Sequence, residues 1–274
     1  MINSYKQLYY LRKLKFILKR SFENNFFRKN KINSTIIYGN QKSGTSAIAS
    51  LLGMATGKSY IIDVFIKTGL EEKKLLDKKL SFYDYTKKYP NYFYQEIIKE
   101  PEFVFFLKDI RELYPYSNYV HILRNPFDNI RSIFNRINIT SIEAENSCKL
   151  PRALSDQYPL WDLLIDTKRM PYSGTNIFEM LVYRWLYVAK QANLAFSKKP
   201  ILVKYEDFLI DKIAFIHELC SKLDYEVKND ITAYIDFNFQ PKGHRVSKEK
   251  FFSNKQIDFI YEICGDEMFK NGYK

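Results

Sequence analysis

The chain is poor in the residues that staple or metallate small folds. Its three cysteines, Cys148, Cys220 and Cys264, are scattered and form no C-x-x-C pair. That argues against a disulfide framework or a cysteine zinc site and suits the reduced thiols of a cytoplasmic protein. The three histidines, His121, His217 and His244, are too sparse for a histidine metal centre. No uninterrupted apolar run approaches the length of a membrane span. The LKFILKR stretch near the start is broken by lysines, so a secretory signal is not expected either. Acidic residues are in deficit, 31 Asp and Glu against 43 Lys and Arg, for a formal net charge of +12. This balance suits an anionic cofactor, an acidic glycan, a nucleic acid or a membrane surface. Neither a groove-reading helix nor an aromatic stacking motif accompanies it, so no nucleic-acid partner is expected.

What is present fits one α/β domain of 274 residues, without repeats or a linker. Residues 1–33 form a basic N-terminal extension in which Leu8, Leu11, Leu14 and Leu18 recur at helical spacing. Two readings of it stand: a helix lying on an anionic membrane, and a solvated helix packed on the domain. Residues 34–274 form the domain proper. Strands are expected at Thr35–Tyr38, Gly57–Ile66, Glu102–Leu107, Tyr119–Leu123 and Ile201–Tyr205. Helices between them, a long one over 176–197 and a last one over 254–269 predict a three-layer α/β fold: a central parallel sheet flanked by helices.

The organising stretch is STIIYGNQKSGTSAIASLLG, residues 34–53. A β-branched and aromatic strand ends at Gly39, and a loop follows in which Gly44 permits close approach of backbone to a ligand. Thr45 and Ser46 open an apolar helix whose N-terminus favours an anion. Gly39 and Gly44 have the separation of a nucleotide-triphosphate P-loop, and Ser46 fills its last hydroxyl position. Thr45, however, stands where that loop needs lysine, and the lysine lies inside the loop at Lys42. A kinase-like phosphotransferase is therefore the alternative reading. The order Lys42-Ser43-Gly44-Thr45-Ser46 resembles the 5′-phosphosulfate loop of sulfotransferases that use 3′-phosphoadenosine 5′-phosphosulfate (PAPS), with Gln41 in place of the usual proline.

A second segment, YVHILRNPFDNIRSIFNR, resembles the 3′-phosphate segment of the same family at Arg124, Asn125, Pro126, Asp128 and Ser132. An arginine at a strand end can fork onto a phosphate, and Ser132 projects from the second turn of the following helix. Looser likenesses continue down the chain. Val203–Phe208 resembles a strand-end segment that would put Tyr205 near the adenine. Gln240–Arg245 resembles the late loop whose Lys242, Gly243 and Arg245 would close on the 3′-phosphate. The resemblance covers about residues 34–273 and implies a P-loop-NTPase-like sulfotransferase fold.

It implies roles as well. Lys42 would meet the leaving phosphate oxygen, the loop from Ser43 to Ser46 would hold the 5′-phosphate, and no metal would be required. The acceptor hydroxyl needs a base. The third-strand histidine of many small-molecule sulfotransferases is absent, since Lys108-Asp109-Ile110 stands there. Asp63, nineteen residues past Gly44 (63 − 44 = 19), resembles the base of tyrosylprotein sulfotransferases and is the first choice, before Asp109 and His121. Lys108 would support the sulfuryl oxygens. The irregular 140–175 segment, with Trp161, would form the acceptor-side lid. A glycan or glycolipid acceptor is preferred over a peptide tyrosine or a small phenol, in a cytoplasmic protein peripheral at the inner membrane face if residues 1–33 bind lipid.

Overall fold

The computed structural model describes residues 33–69, 71–151, 159–165, 169–193, 199–237 and 246–273. The basic extension and Lys242, Gly243 and Arg245 lie outside them. Five strands form one sheet in which every pairing is parallel: β1 (Thr35–Gly39), β2 (Tyr60–Ile62), β3 (Ile97–Lys99), β4 (Asn118–Leu123) and β5 (Ile201–Lys204). Their order is β2-β3-β1-β4-β5. The chain thus fills one side of β1 before crossing to the other, which makes the carboxyl end of β1 the switch point where such sheets bind ligands.

The helices that matter here are α1 (Thr45–Thr56), α2 (Val64–Thr68), α3 (Leu107–Leu113), α4 (Pro126–Ile137), α5 (Ile177–Lys190), α6 (Tyr205–Ile210), α7 (Lys212–Lys222) and α8 (Asn254–Lys270). β1 is buried along its whole length, as a central strand covered on both faces must be. On one face Ile37, Val120 and Ile122 pack with Ile48 and Leu52 of α1 and Ile216 and Leu219 of α7. On the other, Ile36, Tyr38, Ile98 and Tyr119 meet Phe65, Phe82, Tyr85 and Phe103 from the β2–β4 connection. A third cluster joins α4, α5 and α8 through Ile130, Phe134, Leu181, Trp185 and Ile260. The three-layer α/β architecture is the expected one.

Two strands differ from expectation. The apolar run Glu102–Leu107 is not the third strand. Pro101 opens a tight helical turn over Pro101–Phe105, and the Glu100 carboxylate accepts from the Glu102 amide to cap it. β3 lies earlier, over Ile97–Lys99. A short buried apolar run has no periodicity to separate strand from turn; the proline was the usable signal. Gly57–Ile66 is likewise not one strand. β2 stops at Ile62, Asp63 adopts a left-handed backbone (φ 57°), and α2 begins at Val64. At the far end Tyr205 starts α6 rather than ending β5, and α5 stops at Lys190 before a short turn over Gln191–Asn193. The 140–175 segment is partly regular: a capping box on Thr140 and Glu143 starts a helix over Ser141–Glu145, and a turn spans Pro159–Leu164.

Candidate functional site

Every strand delivers a polar residue at its carboxyl end: Asn40 after β1, Asp63 after β2, Lys99 and Glu100 at β3, Arg124 after β4, Tyr205 after β5. The loop from Asn40 to Gly44 lies among them. It turns through two left-handed residues, Lys42 (φ 65°) and Gly44 (φ 80°). A side-chain carbon on Gly44 would sit 2.2 Å from the Tyr205 ring, so glycine is required twice over, for φ and for space. Lys42 lacks that freedom, and its backbone is held by Arg124, whose Nη1 donates to the Lys42 carbonyl at 2.7 Å. Asn129, buried on α4, staples the loop from below. It accepts from Asn40 Nδ2 at 2.8 Å and donates to the Gln41 carbonyl at 2.8 Å and to Ser43 Oγ at 3.0 Å.

Arg124 is itself fixed from three sides. Trp185 Nε1 of α5 donates to its carbonyl at 2.8 Å, and its guanidinium lies 4.9 Å from the centre of the Tyr205 ring. The following amide, of Asn125, donates to Glu206 at 2.9 Å. The Asn125 side chain caps α4 by accepting from the Phe127 amide at 3.0 Å, with Pro126 in the first turn. Asp128 pairs with Arg131 on α4. Arg124 Nε is buried with no hydrogen-bond partner among the described residues. Burial pushes the guanidinium below its ordinary value. Ser132 is half-buried on the second turn of α4.

The lysine at the end of the third strand is Lys99, not Lys108. Lys108 and Asp109 lie on the exposed face of α3, because the segment before them is a turn and not a strand. Lys99 is almost fully buried, and its Nζ donates to Ser46 Oγ at 3.0 Å and to Asp63 Oδ1 at 2.5 Å. Asp63 occupies the cap position of α2, yet its carboxylate makes no capping bond and turns to Lys99 instead. A non-glycine residue held left-handed with its side chain withdrawn from the cap is a strained arrangement of the kind concentrated at functional sites. His121 is remote from this chemistry. It is fully buried in mid-strand, stacked 4.8 Å from Tyr38, with neither ring nitrogen hydrogen-bonded among the described residues, and burial pushes it down to about 3.

Positive charge is concentrated at the site. Lys42 is pushed down to about 8, first by burial and then by Arg136, Arg124 and Lys99, with Asp63 pulling the other way. Glu100, wholly buried, is pushed up to about 8 by burial. It accepts from the amides of Phe65 and Glu102, so it fixes α2 and the Pro101 turn and does not reach the loop. Among the described residues no group of three or more His, Cys, Asp or Glu could hold a metal ion.

No family model matches the chain and no curated protein matches its sequence. Solved structures do. The chain is similar to the sulfotransferase STF9 from Mycobacterium avium at TM-score 0.55 and 11% identity, over 90% of this chain and 78% of that one. It is similar to the sulfotransferase domain from the curacin biosynthetic pathway at TM-score 0.50 and 12% identity, over 90% and 99%. The chain has the sulfotransferase fold. Within that sulfotransferase fold, the structure brings Lys42, Ser43, Gly44, Thr45, Ser46, Asp63, Arg124 and Tyr205 to the strand ends. It adds Lys99, Asn129 and Arg136, none of which the motifs name. A lysine after the apolar pair Ile97-Ile98, two residues before Pro101, was the signal for Lys99. Asn129 and Arg136 had none, because their partners are distant in sequence.

Proposed function

We propose that this protein transfers the sulfuryl group of PAPS to an acceptor hydroxyl. The observation that carries the reading is the concentration of cations around one glycine loop. Lys42 lies in it with Lys99, Arg124 and Arg136 near, Lys42 is pushed down to about 8 by burial and by those neighbours, and Arg124 Nε is buried with no hydrogen-bond partner among the described residues. Such a set fits a ligand with several negative charges. Thr45 in place of the P-loop lysine speaks against a triphosphate.

PAPS would lie with its 5′-phosphosulfate on the loop from Lys42 to Ser46 and its 3′-phosphate on Arg124 and Ser132. Bound there, it supplies an activated sulfuryl group for in-line transfer, with 3′-phosphoadenosine 5′-phosphate (PAP) as the leaving product. Lys42 neutralises the charge that collects on the departing phosphate oxygen. Lys99 holds Ser46 and the Asp63 carboxylate together beside it. Asp63 takes the acceptor hydroxyl proton. A glycan or glycolipid is the acceptor we favour, since Trp161 stands 5.9 Å from Arg136, an aromatic face beside a cation near Lys42. Contact of residues 1–33 with an anionic membrane would bring a glycolipid acceptor to the site; among the described residues no helix is long and apolar enough to cross a membrane.

The test is transfer of radiolabelled sulfuryl from PAPS to glycans, glycolipids, tyrosine peptides and phenols, with wild type and Asp63→Asn. Label on a carbohydrate, reduced about a hundredfold or more in Asp63→Asn, is expected. Label only on peptides or phenols would replace the acceptor assignment. Full turnover by Asp63→Asn would remove the base.

A further inference from the structure

Gln41 stands where the motif that the loop resembles has proline, and it has a side-chain amide to use. Arg184 of α5 is wholly buried; its Nε donates to Asn40 Oδ1 at 2.9 Å and its Nη2 to Gln41 Oε1 at 2.5 Å. The same Nη2 donates to Glu102 Oε1 at 2.5 Å, and Gln41 Nε2 donates to that oxygen as well. The other carboxylate oxygen, Oε2, accepts from Arg169 Nη1 at 2.8 Å. Arg169 Nη1 also reaches Glu72 Oε1 at 3.2 Å, and Arg169 Nη2 donates to the carbonyl of Leu163. Leu163 belongs to the turn that carries Trp161. A continuous chain of buried polar contacts therefore runs from the Trp161 turn to the residue before Lys42. Both guanidiniums rest near Phe105, at 4.4 and 5.0 Å.

The charges make this chain a shared one. Burial would raise Glu102, but Arg184 and Arg169 outweigh it and hold the carboxyl below its ordinary value. Glu72 is pushed up, by burial and by Glu102. Two guanidiniums thus divide one firmly ionised carboxylate, and the Gln41 amide oxygen takes up part of the unmet donor capacity. If Arg169 withdrew, Oε2 would be open and Arg184 could fork onto both oxygens of Glu102. Its Nη2 would then leave Gln41, whose side chain would be held next to Lys42 by its Nε2 bond to Glu102 alone.

We propose that Gln41, Arg184, Glu102 and Arg169 are positioning residues that tie the shape of the phosphate loop to the seating of the 159–165 turn. The donor-side and acceptor-side walls of the site are thereby set together. The link needs the donor reading only for its consequence, so it is tested on the ligand-free protein. Amide hydrogen exchange is measured in the full chain for wild type, Arg169→Met and Gln41→Leu. Coupling between the walls predicts exchange at least about fivefold faster in both 40–46 and 159–165 for each variant, because coupling is reciprocal. The amides of 35–38 in β1 serve as the control and stay protected. A response confined to the mutated wall, or an equal rise in β1, would overturn the link. Should Arg169→Met fail to fold, Gln41→Leu decides alone, since it leaves Glu102 paired with both arginines: slow, wild-type exchange at 159–165 would then refute the proposal. None of these outcomes depends on PAPS.

Discussion

The two sides of the sheet solve the same problem differently. On the β4 and β5 side, Arg124 is placed mainly by neutral partners, an indole, a tyrosine ring and a backbone carbonyl, with the Glu206 carboxylate holding the next amide and a helix cap next door. On the β2 and β3 side, Asp63, Lys99, Glu102, Arg169 and Arg184 are ionisable, mostly buried and placed by one another. In the first, the run that carries Arg124 is encoded locally, as the end of a strand and the start of a helix, although Trp185 and Tyr205 come from further along the chain. The second exists only when residues as far apart as Gln41 and Arg184 meet. A buried ion cluster that loses a member leaves a charge in low dielectric, whereas a missing neutral partner costs a hydrogen bond or some packing. The β2–β3 side should therefore be the more fragile, and the β4–β5 side the more directly tied to ligand.

The largest effect is expected at Glu102→Gln. It leaves the Arg169 and Arg184 guanidiniums without their shared carboxylate and should cost about 3–5 kcal/mol in urea unfolding. A loss below about 1 kcal/mol would erase the contrast between the two sides.

Gly44→Ala comes next, at about 1–3 kcal/mol, because alanine must adopt φ 80° and clear the Tyr205 ring. Adding Tyr205→Ala should return the steric part and leave the backbone part. Equal stability of the single and double variants would mean that the ring yields freely.

The third prediction concerns pH. Lys42 sits at about 8 in the folded, ligand-free protein, below its ordinary 10.5. Between those values the unfolded chain binds more protons, so this lysine's contribution makes stability rise with pH over that window. An anion on the loop favours the charged form, so PAP binding should take up protons near pH 8. Its affinity should then fall as pH rises from 8 towards 10, by at most about tenfold per unit. Calorimetry in two buffers of different ionisation enthalpy measures the uptake, and Lys42→Met should abolish it.

The same division explains what could be read from sequence. The fold class, β1 with its loop, and the Arg124 segment were legible because spacing within one strand-loop-helix unit carries them. β3 was misplaced because the apolar side chains of Phe103–Phe106 look alike in a strand and in a buried turn. Lys108 was then assigned to a strand end that Lys99 occupies. The place of Asp63 near the end of the second strand was legible, but its left-handed backbone and its bond to Lys99 were not. The ion cluster under the loop was invisible, since a charged residue in sequence reads as surface unless its partner is known.

The most direct measurement is thermal stabilisation by PAP, set against ATP and AMP, in wild type and Arg124→Ala. A ligand that binds only the folded state must raise the melting temperature. The account predicts selective stabilisation by PAP that is lost in Arg124→Ala. An equal response to ATP, or full PAP stabilisation in Arg124→Ala, would contradict it.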